Sequence, residues 1–272
     1  MFNALLEILS YPFMLRALLV GVSVSLCAAL LGVTLVLKRY SMIGDGLSHV
    51  AFGALAVATA AGAAPLPVAI PVVLLSAFLL LRLNEGSRIR GDAATAIVSS
   101  SALAVGVIAV SLSTGMNIDV YNYMFGAILA ISSEDVAFSL LVTCAVLFLY
   151  IRCYNRIFAV TFDEDFAKAT GVGASRYDTL IAVLTALVIV TGIRMMGAML
   201  ISSLIIFPAL SSMRVFSSFK GVVLCSAVLS VICFLVGITA SFIFSLPTGA
   251  SVVAANMTAF CAFLAAEKFG KG

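Results

Sequence analysis

Tryptophan is absent from the 272 residues, histidine occurs once, and only 10% of the chain is charged. Soluble domains carry roughly a quarter charged residues, so a chain this poor in charge and 63% apolar is not built for water. One histidine excludes the H-E-x-x-H zinc site of an intramembrane metalloenzyme, which needs two. No G-x-x-x-x-G-K-S/T stretch is present, so no loop can cradle the phosphates of ATP. The cysteines (Cys27, Cys144, Cys153, Cys225, Cys233 and Cys261) form no C-x-x-C pair. Most lie in apolar runs, where cysteine is a small hydrophobic filler and not a metal ligand. The apolar runs are long and unbroken, unlike the short alternating strands of a membrane β-barrel. The net charge of +3 is scattered among connections and makes no nucleic-acid surface.

What is present is a series of uncharged stretches, at 17–37, 93–118, 195–213 and 221–266. A spanning helix needs about 20 apolar residues to cross about 30 Å of hydrocarbon, so the last stretch holds two. Turn and charge signals then predict an all-α, polytopic transmembrane bundle of eight to nine helices. The expected segments are 14–37, 43–62, 66–83, 94–113, 134–151, 178–193, 196–213, 221–244 and 250–266. They form a single transmembrane domain over 1–272. The N-terminal residues lack a basic region and a cleavage motif, so they read as part of the first span and not as a signal peptide. Lysine and arginine mark one set of ends (Lys38, Arg39, Arg82, Arg88, Arg90, Arg152, Arg156, Arg176, Arg214, Lys268) and are missing from the connections near 62–66, 114–133 and 245–249. Such asymmetry places the N-terminus outside and the C-terminus in the cytoplasm. Arg194 breaks the pattern and is expected to snorkel at the outer interface. Residues 121–133 are too short to span and read either as a peripheral outer helix or as a re-entrant piece.

Asp45 and the sole histidine, His49, lie four residues apart in YSMIGDGLSHVAFG, after a helix start marked by Ser41 and Gly44. Four residues apart is one face of a helix. A carboxylate oxygen and an imidazole nitrogen suit a borderline divalent cation. The bland alternative is an Asp–His hydrogen bond that only anchors the helix at the interface. One carboxylate and one imidazole cannot fill a tetrahedral shell, whereas two copies about a two-fold axis supply two of each.

The longest charged connection, 152–177, contains TFDEDFAKATG, which predicts a short helix outside the bilayer. Thr161 is the expected cap; Asp163, Glu164 and Asp165 complement the positive helix end, and Gly171 stops it. Phe162, Phe166 and Ala169 then form an apolar stripe that faces either a partner or this protein's own helix ends.

Four stretches in order resemble one family. Residues 39–53, RYSMIGDGLSHVAFG, resemble a second-helix signature of the permease subunits of zinc/manganese/iron ABC importers (the ABC-3 type). TFDEDFAKATGV at 161–172 resembles that family's coupling loop; GAMLISSLIIFPA at 197–209 and LPTGASVV at 246–253 resemble its later signatures. The resemblance implies a multi-pass subunit of the bacterial cytoplasmic membrane, not itself an enzyme, with ATP hydrolysis on a partner. It implies as partners a cytosolic ABC ATPase, an extracytoplasmic metal-binding protein and a second permease copy, within lipid and without nucleic acid. It implies no permanently bound cofactor, only a transported divalent metal contacted by Asp45 and His49. Phe162, Asp163, Glu164, Phe166 and Gly171 fall on the element that docks on the ATPase. The MIGDGLSHV wording is closest to zinc permeases, with manganese or ferrous iron as alternatives and an ATPase-independent channel or carrier as the rival class. Two residues depart from the family pattern: Arg194, and Gly46 where alanine is common.

Overall fold

In the computed structural model, described for residues 11–86, 91–113, 126 and 131–270, no strand occurs among the described residues. The helices are α1 Pro12–Leu37, α2 Ser41–Ala60, α3 Pro65–Gly86, α4 Gly91–Leu112, α5 Ser133–Phe162, α6 Glu164–Ala169, α7 Ala174–Met196, α8 Ala198–Val215, α9 Phe219–Phe244 and α10 Thr248–Gly270. Among the described residues nine, all but α6, are long and apolar enough to cross a membrane. The expected spans hold, with one large shift of boundary: α5 continues to Phe162, well past the apolar run, before a break at Asp163.

Helices α1, α2 and α7 form the centre, and α3, α4, α5 and α10 the periphery. Lipid is as apolar as leucine, so helices in a bilayer associate through close packing and small residues. The α1–α9 seam shows how. Gly21 lies under the Phe234 ring, the Ser230 hydroxyl donates to the Ser25 carbonyl at 2.9 Å, and Ser226 donates to the Ala29 carbonyl at 3.4 Å. Positions 21, 25 and 29 are one helical ridge. On another side of α1, Gly32 rests on the backbone of Ile205 in α8. Pro208 sits buried inside α8 without ending it.

Three helices close with the same hydrogen-bond pattern, in which the residue after the cap takes a left-handed conformation. For α2 that residue is Gly62 and for α6 it is Gly171, both at positive φ. For α1 it is Arg39, at φ 62°, with Arg39 N–H bonded to Val36 and Tyr40 N–H to Leu35. A side chain at that angle costs about 1 kcal/mol or more. Arg39→Gly is therefore expected to raise stability by about 1 kcal/mol, read as a later midpoint in thermal unfolding.

At the end opposite Arg39, α7 and α8 are joined through Gly197 alone, at φ 85°. Gly126 packs against the Met196 backbone there, and a Cβ on it would come within 2.6 Å. The rest of 121–130, and with it the choice between re-entrant and peripheral, lies outside the described residues. Ser132 caps α5 in a reciprocal box with Asp135. Arg194 does more than snorkel: its guanidinium reaches the buried Asp135 carboxylate at 2.8 Å. The departure at 194 is thus the partner of an acid that α5 already needs at its start.

Candidate metal-pathway site

The α1 C-terminus, turning at Lys38 and Arg39, leads into α2 at Ser41, so Asp45 and His49 occupy its second and third turns. Asp45 Oδ2 and His49 Nε2 are 3.7 Å apart, on one face as the spacing predicts. This separation is too long for a hydrogen bond, so the pair is not closed on itself. Both side chains are half-buried, 39% and 28% exposed.

The flanks of α2 explain why this face is left open. On one side Gly46 meets Thr95 and Gly53 meets the Ala102 carbonyl, both on α4. On the other, Gly44 meets Ile205, and the Ser202 hydroxyl of α8 lies 3.4 Å from that of Ser48. Ser48 itself donates to the Gly44 carbonyl at 2.9 Å. Helices α4 and α8 therefore clamp α2 on either side of the Asp–His face. Further along the same face Phe52 and Ala56 are buried, so the open part is confined to the Asp45–His49 turns. The departure at Gly46 follows from this clamp: a Cβ would stand 2.4 Å from Thr95 Cγ2, so α4 approaches more closely than alanine allows. Among the described residues no third acidic, histidine or cysteine side chain joins the pair. One chain offers one oxygen donor and one nitrogen donor.

The second cluster lies beyond the α5 terminus. Here the expected cap is corrected. Thr161 belongs to the last turn of α5 and donates to the Ile157 carbonyl; Asp163 is the cap, accepting from Phe166 N–H at 2.9 Å. An aspartate at the extended break outcompetes a threonine whose hydroxyl is already satisfied within its own helix. The stripe through Phe162, Phe166 and Ala169 is corrected for the same reason. Phe162 ends α5 and packs against Phe158 at a ring distance of 4.9 Å and edge-on against Phe219 at 5.9 Å, while Ala167, not Ala169, faces inward with Val160 and Ala174. Phe166 is 63% exposed. Gly171 closes α6, with Val172 N–H bonded to the Ala167 carbonyl.

Sequence reasoning missed the group that ties these two clusters together. Lys38, at the end of α1, is buried and ion-paired with Asp178 of α7, and lies 3.9 Å from Glu164 of α6. Glu164 also binds Lys168 at 2.8 Å. The hydrogen bond from Lys168 holds the Glu164 carboxyl below the usual carboxylate range, with Lys38 adding to it. That contribution is present above the ordinary carboxylate pKa and is lost as pH falls through the lowered one. A lysine treated only as a topological charge was the available signal.

The matching family model, ABC 3 transport family, covers residues 10–267. The chain belongs to that family. It is 27% identical over 97% of its length to the manganese transport system membrane protein MntC of Halalkalibacterium halodurans, covering 91% of that protein. It is 28% identical to the high-affinity zinc uptake system membrane protein ZnuB of Haemophilus influenzae, covering 89% of this chain and 93% of that one. Its fold matches a chain of PsaBC from Streptococcus pneumoniae, solved with a Fab, at TM-score 0.86, 28% identity, 96% of this chain and 94% of that one. The protein is thus a multi-pass membrane permease subunit of a bacterial metal ABC transporter, with ATP hydrolysis on a separate subunit. The rival reading as an ATPase-independent channel falls with this assignment.

Proposed function

We propose that this permease imports a divalent cation, zinc foremost, as a homodimer in which Asp45 and His49 of each copy hand the ion through. The single observation that carries this reading is the open Asp45–His49 face, with the two groups 3.7 Å apart and both flanks of α2 occupied. An imidazole and a carboxylate suit zinc, manganese and ferrous iron, and incomplete ligation by each copy suits an ion that must leave again. Manganese is the second reading, favoured by likeness to a manganese system membrane protein. In this proposal 1–272 is one permease domain, and 152–177 is its cytoplasmic coupling loop. The N-terminus lies outside, because Lys38, Arg156, Lys168, Arg176, Arg214 and Lys268 gather at one end. Phe162, Asp163, Glu164, Phe166 and Gly171 belong to the surface that meets the ATPase, and Phe166 supplies its exposed apolar contact. A binding protein delivers the ion at the opposite end.

The test is metal-limited growth of cells lacking this chain, with zinc, manganese and iron restricted separately. Wild type is expected to restore growth under one metal, and Asp45→Ala or His49→Ala to lose that rescue by about tenfold or more in metal uptake, as for loss of a ligand-shell group. Full rescue by both variants sinks the ligand assignment. Rescue under manganese limitation alone replaces zinc by manganese.

A further inference from the structure

At the end of the molecule that carries Lys38, a cavity of about 550 Å³ opens between the last turns of α5 and the first turns of α7. Arg156, Thr170, Gly171, Arg176, Tyr177 and Leu180 line it, and none of its described lining residues is acidic. The Arg156 guanidinium is fixed at the wall, donating to the Tyr177 hydroxyl at 2.7 Å. The Arg176 stem folds back over Gly173, where a Cβ would lie 3.3 Å from its Cδ. Gly173 is also the cap residue of α7 and provides no side-chain acceptor, so the positive end of a long helix borders the same space. Two guanidinium groups and a helix N-terminus thus converge without a lining acid. Each raises the electrostatic cost of the others, and an anion relieves all three. Arginine forks fit the oxygens of a phosphate in particular.

Depth says where such an anion comes from. Counting from the start of α5 at Ser133, about 20 residues at 1.5 Å each cover the hydrocarbon. Arg152 then falls at its edge and Arg156 about 6 Å further, among headgroup phosphates. Arg194 pairs with Asp135 near the start of α5, and counting back from it along α7 puts Arg176 about 27 Å away, level with Arg152 at the hydrocarbon edge. The side of α5 that leads to the cavity is apolar and open: Leu141, Phe148 and Ile151 are 67%, 68% and 72% exposed. Arg152 and Arg156 continue that exposed side.

We propose that this cavity binds the phosphate of an anionic phospholipid headgroup, with the acyl chains lying along Leu141, Phe148 and Ile151. The site lies apart from Asp45 and His49 but shares Gly171 with the surface proposed to meet the ATPase, so lipid retention is measured on the permease alone, separately from metal uptake and ATPase co-purification.

The experiment uses the purified full-length permease and native mass spectrometry in neutral detergent, with phosphatidylglycerol, phosphatidylcholine and soluble glycerol 3-phosphate as probes. Wild type is expected to retain phosphatidylglycerol over phosphatidylcholine. Arg156→Gln with Arg176→Gln should weaken that retention about tenfold, with Arg156→Lys/Arg176→Lys keeping part of it. Should the double variant fail to fold, Arg176→Gln alone carries the test, because that side chain is exposed. Equal retention by wild type and variants overturns the proposal, as does a wild type without lipid preference. Displacement of the lipid by equimolar glycerol 3-phosphate reassigns the cavity to free phosphate esters. Loss of ATPase co-purification with lipid retention unchanged makes it a protein contact and also overturns it.

Discussion

Replacing Lys38 with methionine is expected to cost about 3–5 kcal/mol of stability, because it strands the Asp178 carboxylate. Their side chains are 8% and 3% exposed, so the Asp178 carboxylate stays out of water when Lys38 is removed, whereas Lys38 without Asp178 still has Glu164 at 3.9 Å. Desolvation of an unpaired carboxylate is the dominant cost; the loss of attraction between the two charges is smaller. Removing both charges together, as Lys38→Met with Asp178→Leu, should therefore restore much of the loss, since apolar replacements of a buried pair are often neutral. The cycle of two single variants and the double, followed by thermal unfolding in detergent, measures the coupling. An unfolding curve for Lys38→Met that overlays wild type would show that the pair is not buried in the working protein. The double variant carries the functional half. Lys38 caps α1 directly before α2, which holds Asp45, and it also reaches Glu164 on α6. A stable double variant is expected to bind the ATPase yet transport metal poorly, because the charge that links α6 to the α1–α2 corner is gone. Transport at the wild-type rate would remove Lys38 from that route.

The spans and the Asp45–His49 face were legible because they rest on local rules: hydrophobic length, and the placement of residues four apart on one helix. The α6 helix was legible in position but not in detail. Whether Thr161 or Asp163 caps it depends on where α5 stops, and α5 runs on because Phe158 and Phe162 find Phe219, far away in sequence. The Lys38–Asp178 and Arg194–Asp135 pairs were invisible for a related reason. Each joins residues that are distant in the chain, and no periodicity announces which lysine meets which aspartate. Gly46 was read as a departure from a pattern, when its cause lies in Thr95 on another helix. Packing partners, more than residue types, were what the linear chain withheld.

Gly32→Ala is expected to be the most disruptive single methyl addition in the bundle, while Gly44→Ala is expected to be mild, although both face Ile205. The difference lies in what each new Cβ would meet. At Gly32 it would stand 2.0 Å from the Ile205 carbonyl oxygen and 2.9 Å from its carbonyl carbon. Backbone in the middle of α8 cannot rotate away, so α1 and α8 must separate along their seam. At Gly44 the nearest atom is the Ile205 Cδ1 at 3.1 Å, the free end of a side chain that can shift by a few tenths of an ångström. Overpacking that moves backbone costs about 1–3 kcal/mol and sometimes more, whereas an adjustable contact costs well under about 1 kcal/mol. In a bilayer the penalty is not offset by squeezing out water, because close approach of small residues is itself the source of helix association. Thermal unfolding of the two variants side by side decides it. Equal midpoints would mean that α1 and α8 are not held at the distance Gly32 permits. A lower midpoint for Gly32→Ala alone ties the stability of the bundle to that one backbone contact, next to the Ile205 side chain that also supports α2 under the Asp45–His49 face.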